Sequence, residues 1–245
     1  MKLRYKITVG ILIFVFLFFS AVAVSISYTA DCPPAAEAAS GSTMKAVVYR
    51  CYGGPDVLEY ADIPMPVPAE HEVLVKVHAA GVNPLDWHFL RGSPFVMRLM
   101  TGIGAPKDAA LGRDFAGVVE AVGENVTRFK AGDRVYGGAN GAFAEYLVRR
   151  ETGSIALMPA NVSFEEAAAV PVAAITALQA LRDNGQLQAG QKVLINGASG
   201  GVGTYAVQIA KSMGAEVHGV NSTRNVELVL GLGADRVFDY KKENY

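Results

Sequence analysis

The strongest constraint on this chain is a glycine-rich turn, Gly197-Ala198-Ser199-Gly200-Gly201-Val202-Gly203, set directly between an apolar run and a helical pattern. Lys192–Asn196 (KVLIN) reads as a short buried strand, and Thr204–Met213 as a helix stopped by Gly214 in the C-cap position. Glu216–Val220 supplies a second strand, Asn225–Leu232 a second helix and Arg236–Tyr240 a third strand. That βαβαβ order predicts a parallel sheet, the mononucleotide-binding half of a doubly wound fold. Upstream, Ser163-Phe164-Glu165-Glu166 offers a capping box for an Ala-rich helix that breaks near Pro171 and resumes through Ala173–Leu181.

The turn needs its glycines for a physical reason. A diphosphate reaches the backbone N–H groups of a helix N-terminus only where side chains are absent. Ala198, Gly200 and Gly203 fill the three places of the G-x-G-x-x-G pattern, with Gly201 and Val202 between them. Alone, such a loop can be a mere tight turn; between strand and helix it predicts a nucleotide. No Lys-Ser/Thr follows, which excludes an ATP- or GTP-type P-loop. An NAD site places an acid at the end of the second strand, but here Val220-Asn221-Ser222-Thr223-Arg224 has none. Ser222 and Arg224 instead suit a 2′-phosphate, which a guanidinium can meet bidentately, so the expected cofactor is NADP(H). The bland alternative for Arg224 is a solvated residue opening the next helix.

The preceding segment reads differently. Met44–Arg50, Val57–Ile63, Glu72–Val82, Phe115–Val122 and Ala142–Val148 are β-favouring runs, separated by turns at Gly53-Gly54-Pro55, Gly123-Glu124-Asn125 and Ala131-Gly132-Asp133. Such spacing suggests a small barrel or sandwich. One helix is announced within it, with Asn83 as N-cap, Pro84 as first residue and Asp86 in the first turn.

Composition narrows the function classes. Apolar residues make up 51% and charged ones 18%, with a net charge of −1, so a core is affordable and a nucleic-acid grip is not indicated. Two cysteines, Cys32 and Cys51, provide neither a disulfide framework nor a four-Cys zinc lobe. Residues 1–30 read as a membrane leader, because Ile7–Ile26 is uncharged and about 20 residues span a bilayer core. Lys2, Arg4 and Lys6 before it predict a single-pass anchor with its N-terminus in the cytoplasm. A cleaved signal after Ala21-Val22-Ala23 is the second reading, and an extension ahead of a start at Met44 the third. Residues 31–43 suit a flexible linker.

As a set, MKAVVYRCYGGPDVLEY, AAGVNPLDW, LGRDFAGVVEAVG, AGDRVYGG, PVAAITAL, INGASGGVGTYAVQIAK and GADRVFDY resemble the medium-chain dehydrogenase/reductase superfamily, specifically its zinc-free quinone oxidoreductase (zeta-crystallin-like) branch. The resemblance covers essentially all of 44–245. It implies a GroES-like β-barrel domain over 44–165, a partial Rossmann domain over 166–245, and NADPH in the cleft between them. Zinc alcohol dehydrogenases of the superfamily carry a Cys near the position of Asn83 and a His-Glu pair where this chain has Arg113-Asp114, so the resemblance implies no metal. It places Asn83 and Asp86 beside the nicotinamide pocket and His88 where relatives have a Tyr near the substrate. His88 could hydrogen-bond the acceptor oxygen or supply a proton. Thr176 matches a position that touches the cofactor, and Tyr240 one beside the adenosine phosphate.

The implied activity is hydride transfer from NADPH to a quinone or enone, with catalysis coming mainly from stacking and water exclusion. Two other readings stay open: reduction of enoyl or aldehyde substrates, against which Ser93-Pro94-Phe95 stands where enoyl reductases have a Tyr, and a non-catalytic nucleotide binder. A homodimer is compatible with either. Relatives continue beyond the third Rossmann strand, so a partial sequence with KVLIN as an uncovered edge is expected.

Overall fold

The computed structural model describes residues 2–27, 32–33 and 41–244, with the side chains of the first segment described over 9–24. The chain divides into two compact units, Met1–Glu165 and Glu166–Tyr245.

The first unit opens with helix α1, Lys2–Ser27. The sequence reading of this segment as a membrane-spanning anchor is corrected here, and the membrane location and membrane partner go with it. Among the described residues no helix is long and apolar enough to cross a membrane. Of the expected linker, residues 31 and 34–40 lie outside the described residues.

A hairpin of β1 (Thr43–Tyr49) and β2 (Leu58–Pro64) follows, then β3 (Glu72–Gly81), helix α2 (Pro84–Arg91) and the short helix α3 (Arg98–Thr101). Strands β4 (Asp114–Val122), β5 (Arg134–Gly138), β6 (Tyr146–Arg150) and β7 (Ile155–Leu157) complete an antiparallel sheet ordered β6-β3-β4-β5-β7. Its apolar positions converge on Val73, Val75, Phe115, Val119 and Val135, all essentially without exposure. Single bridges, Val48 to Ala110 and Ala46 to Ala144, fasten β1 to the loops around this sheet. Sequence reading missed β5 and β7 and placed β6 too early.

A disulfide joins exposed Cys32 to buried Cys51, with Cα atoms 4.9 Å apart across a sequence separation of 19. Closing a loop of that length restricts the unfolded chain by about 3 kcal/mol. Cys32→Ser is therefore expected to lower the unfolding free energy by about 2–3 kcal/mol in urea, read from the emission of the lone tryptophan, Trp87. An unchanged midpoint would show that the cross-link adds nothing to the folded unit.

The second unit is α4 (Phe164–Ala168, whose start lies in the first), α5 (Pro171–Leu178), β8 (Lys192–Asn196), α6 (Gly201–Ser212), β9 (Glu216–Asn221), α7 (Val226–Gly231) and β10 (Arg236–Asp239). The strands are parallel in the order β10-β9-β8. Val207, Ala210, Val217 and Val229 pack between sheet and helices with almost no exposure. Strand β8 lies at the edge, and Leu194 on it is 52% exposed. These elements follow the expected βαβαβ order, with α6 beginning three residues before Thr204 because the glycines themselves form its first turn.

Candidate functional site

In the first unit the site begins at the N-terminus of α2. Asn83 has extended backbone angles (φ −118°, ψ 152°) and Pro84 occupies the first helical position, as the local sequence dictates. The Asn83 N–H donates to Asp86 Oδ2 at 2.8 Å, and its side-chain amide donates to Asp114 Oδ2 at 3.1 Å. Asp114, at the head of β4, is 1% exposed, so α2 is pinned to the sheet by a buried carboxylate. Asp86 is also buried, and its Oδ1 has no hydrogen-bond partner among the described residues. Burial pushes its carboxyl above the ordinary value, partly offset by the Asn83 N–H and the charge of Arg113.

His88 points elsewhere. Its Nδ1 lies 2.7 Å from the Ser93 carbonyl, which can only accept, so Nδ1 carries the hydrogen and a neutral ring presents Nε2 as an acceptor. The structure thus brings Asn83 and Asp86 together, while His88 closes the C-terminal turn of the same helix.

Beside this cluster lies a cavity of about 400 Å³ walled by Leu85, Phe89, Met97 and Met100, with Tyr49 and Arg113 among its polar groups. Arg113 packs over Phe89, its guanidinium carbon 3.9 Å from the ring centroid. Burial lowers its pKa, countered by the nearby charges of Asp86 and Asp108. The Tyr49 hydroxyl, 2% exposed as a residue, is pushed up to about 12 chiefly by burial. Sequence reading considered Arg113 and Asp114 only as a position lacking metal ligands. A cation inside the apolar run Leu111–Val119 was the one available signal.

In the second unit Gly197 takes a left-handed φ of +72° and its N–H, like that of Ala198, donates to the Val220 carbonyl. Gly200 caps α6, and Gly201, Val202 and Gly203 form the first turn, whose amides have no intrahelical partner. A Cβ on Gly203 would sit 2.2 Å from the Gly197 carbonyl oxygen, whereas one on Gly201 would meet nothing within 4 Å. The turn is therefore both tight and open toward its amides, a cradle that fits a pyrophosphate.

Ser222, Arg224 and Tyr240 gather at the carboxyl ends of β9 and β10, where the Tyr240 N–H donates to the Asn221 carbonyl at 3.3 Å. Arg224 is exposed and makes no ion pair or hydrogen bond among the described residues. Thr176 is exposed on α5 and spends its hydroxyl on the Val172 carbonyl at 2.6 Å. Asn221, which the sequence did not single out as a site residue, is 3% exposed, and its Oδ1 at the end of β9 has no partner among the described residues.

Two family models match the chain: the alcohol dehydrogenase GroES-like domain over residues 69–178 and the zinc-binding dehydrogenase domain over 201–245. The quinone oxidoreductase of Homo sapiens is 38% identical over 206 residues, covering 82% of this chain and 60% of that protein. The chloroplast envelope quinone oxidoreductase homolog of Arabidopsis thaliana is 42% identical over 216 residues, covering 82% and 63%. The structure of Escherichia coli quinone oxidoreductase complexed with NADPH matches with a TM-score of 0.71 at 32% identity, covering 82% of this chain and 60% of that one. The chain spans about 60% of the length of the curated relatives it matches.

A GroES-like unit joined in one chain to a glycine-turn nucleotide unit defines the medium-chain dehydrogenase/reductases, and this chain belongs to that superfamily. Within it, the chain belongs to the quinone oxidoreductase branch.

Proposed function

We propose that this chain serves an NADPH-dependent oxidoreductase that delivers hydride to a quinone or another carbonyl-conjugated acceptor without zinc. The observation that carries the reading is the Gly197–Gly203 turn, closed by a Gly203 that admits no side chain and opening onto the free amides of α6. NADPH, when bound, supplies the hydride.

The chain's own residues bind and orient. The first-turn amides of α6 would hold the pyrophosphate, as Gly200 and Gly201 put no side chain in its way while Gly203 keeps the turn closed. Ser222 and Arg224 would take the 2′-phosphate, since Arg224 has no competing partner among the described residues and the neighbouring acid, Asp239, spends its Oδ2 on the Thr223 hydroxyl at 2.6 Å. Tyr240 would cover the adenosine side and Thr176 would meet the cofactor at the cost of its bond to Val172. In the other unit, Asn83 and Asp86 hold the head of α2, the helix whose Leu85 and Phe89 line the acceptor pocket. His88 can accept a hydrogen bond at Nε2, and donates there only as imidazolium.

The zinc-free reading rests on the donor set. Where zinc-dependent relatives bring a thiol and an imidazole, this chain brings the Asn83 amide and the Arg113 guanidinium, and neither is a metal ligand. A conjugated carbonyl is electrophilic enough to take hydride without that help.

Nucleotide titration tests the reading. The full chain is expected to bind NADPH at least about tenfold more tightly than NADH, and Arg224→Gln to erase that preference, because a charge-assisted hydrogen bond contributes about 1.5–3 kcal/mol. Addition of 1,4-naphthoquinone should then consume NADPH, while a primary alcohol with NADP⁺ should yield none. Equal affinity for both nucleotides overturns the NADPH assignment.

A further inference from the structure

We infer that the cavity beside α2 receives the carboxylate end of an otherwise apolar acceptor, with Arg113 as the residue that selects it. The inference deepens the reductase reading and rests on it for the word acceptor, but the binding event itself does not.

Four apolar side chains, Leu85, Phe89, Met97 and Met100, wall a cavity of about 400 Å³, the size of an ordinary small-molecule site. Into this apolar setting the fold inserts a half-buried guanidinium that forms no ion pair or hydrogen bond among the described residues. Its guanidinium carbon lies 3.9 Å from the Phe89 ring centroid, a contact that leaves its N–H donors unspent. Holding a cation there is costly; the buried Asp86 carboxylate nearby offsets part of that cost but makes no hydrogen bond to the guanidinium among the described residues, so its donors remain available to a ligand anion. The Tyr49 hydroxyl, on the same wall, likewise has no hydrogen-bond partner among the described residues. Burial keeps it protonated through neutral pH, so it is a donor there. Two donors of this kind match the two oxygens of one carboxylate.

The other charges on the wall do not cancel this. Asp108 is an acid, but its Oδ1 already accepts the Ala110 N–H at 2.9 Å and its Oδ2 the Asn140 amide at 3.0 Å. Exposed Lys107 lines the same cavity and brings one opposite charge to it. A phosphate dianion would call for a cluster of cations and few methionines, whereas one guanidinium on an apolar wall fits a monoanionic carboxylate.

The probes are 3-benzoylacrylate, a conjugated enone bearing a carboxylate, and its neutral primary amide. Both can be titrated calorimetrically into the full chain without nucleotide, and the absence of free cysteines among the described residues removes thiol addition as a complication. The carboxylate is expected to bind about tenfold or more tightly than the amide. Arg113→Met should abolish that difference, Arg113→Lys should keep part of it, and Tyr49→Phe should weaken carboxylate binding alone by about threefold. Equal binding of the two probes, no binding of either, or a preference that survives Arg113→Met overturns the inference. If Arg113→Met does not fold, a preference unaltered in both Arg113→Lys and Tyr49→Phe overturns it as well. Selective binding without NADPH consumption would refute the reductase reading and leave the carboxylate site standing; turnover of both probes at equal efficiency would do the reverse.

Discussion

Gly203→Ala is expected to eliminate measurable NADPH binding and to lower the unfolding free energy of its unit by about 1–3 kcal/mol. The added methyl would lie 2.2 Å from the Gly197 carbonyl oxygen, 2.8 Å from the Ala198 Cα and 2.9 Å from its carbonyl carbon. All three are backbone atoms, so no side-chain rotation relieves the clash. The first turn of α6 must instead lift off the loop that follows β8. That movement would separate Ala198 from Val207 and Ala210, which are packed without exposure in the core of the unit. It would also turn the amides of residues 201–203 away from their common focus. Gly201→Ala is the matched control. Its Cβ meets nothing within 4 Å, and alanine is the better helix former, so thermal stability should hold or rise slightly. NADPH affinity lost there would therefore report a ligand that can no longer approach, not a fold that has moved. Melting of Gly203→Ala at the wild-type temperature would show that the turn is looser than its contacts state.

What sequence could and could not reveal follows from how local each determinant is. The glycine turn was legible because strand, turn and helix are contiguous and the steric need of Gly203 involves Gly197, six residues away. The head of α2 was legible for the same reason, since Asn83, Pro84 and Asp86 settle their roles within one turn. Strands β5 and β7 were not. Arg134–Gly138 and Ile155–Leu157 are short, and Gly137 is pressed against the Ser154 carbonyl, so their pairing is decided across the sheet rather than along the chain. Arg113 was equally opaque, because its meaning depends on Phe89, which belongs to a different element. The Cys32–Cys51 pairing depends likewise on where β1 ends. The anchor reading failed by trusting hydropathy over Ile7–Ile26, when among the described residues no helix is long and apolar enough to cross a membrane.

The stability of the acceptor side hangs most heavily on Phe115. It is fully buried on β4 and contacts the core formed by Val73, Val75, Val119 and Val135, drawn from three strands of the sheet. Phe115→Ala should cost about 3–5 kcal/mol, the transfer of a phenyl group plus the cavity it leaves. Phe115 itself is paired across the sheet with Ala80 and Gly137, and its neighbours are stiff β-branched valines, so little collapse into the void is available and the upper half of that range is expected. For a unit of this size the melting temperature should fall by about 10–20 °C. Trp87 lies on α2 of the same unit and is the sole tryptophan, so its emission follows this transition directly. The effect should reach the site as well. Phe115 is the residue after Asp114, and a β4 freed to shift would loosen the Asp114 carboxylate that holds the Asn83 amide at 3.1 Å. Asp114→Asn separates the two contributions, since it keeps the volume and the carbonyl acceptor while removing the charge. That variant should retain most of the stability and lose the tight positioning of Asn83, seen as a changed Trp87 emission in the folded state. A Phe115→Ala protein that melts within about 3 °C of wild type would place the core of this unit elsewhere than the β3–β4–β5 face.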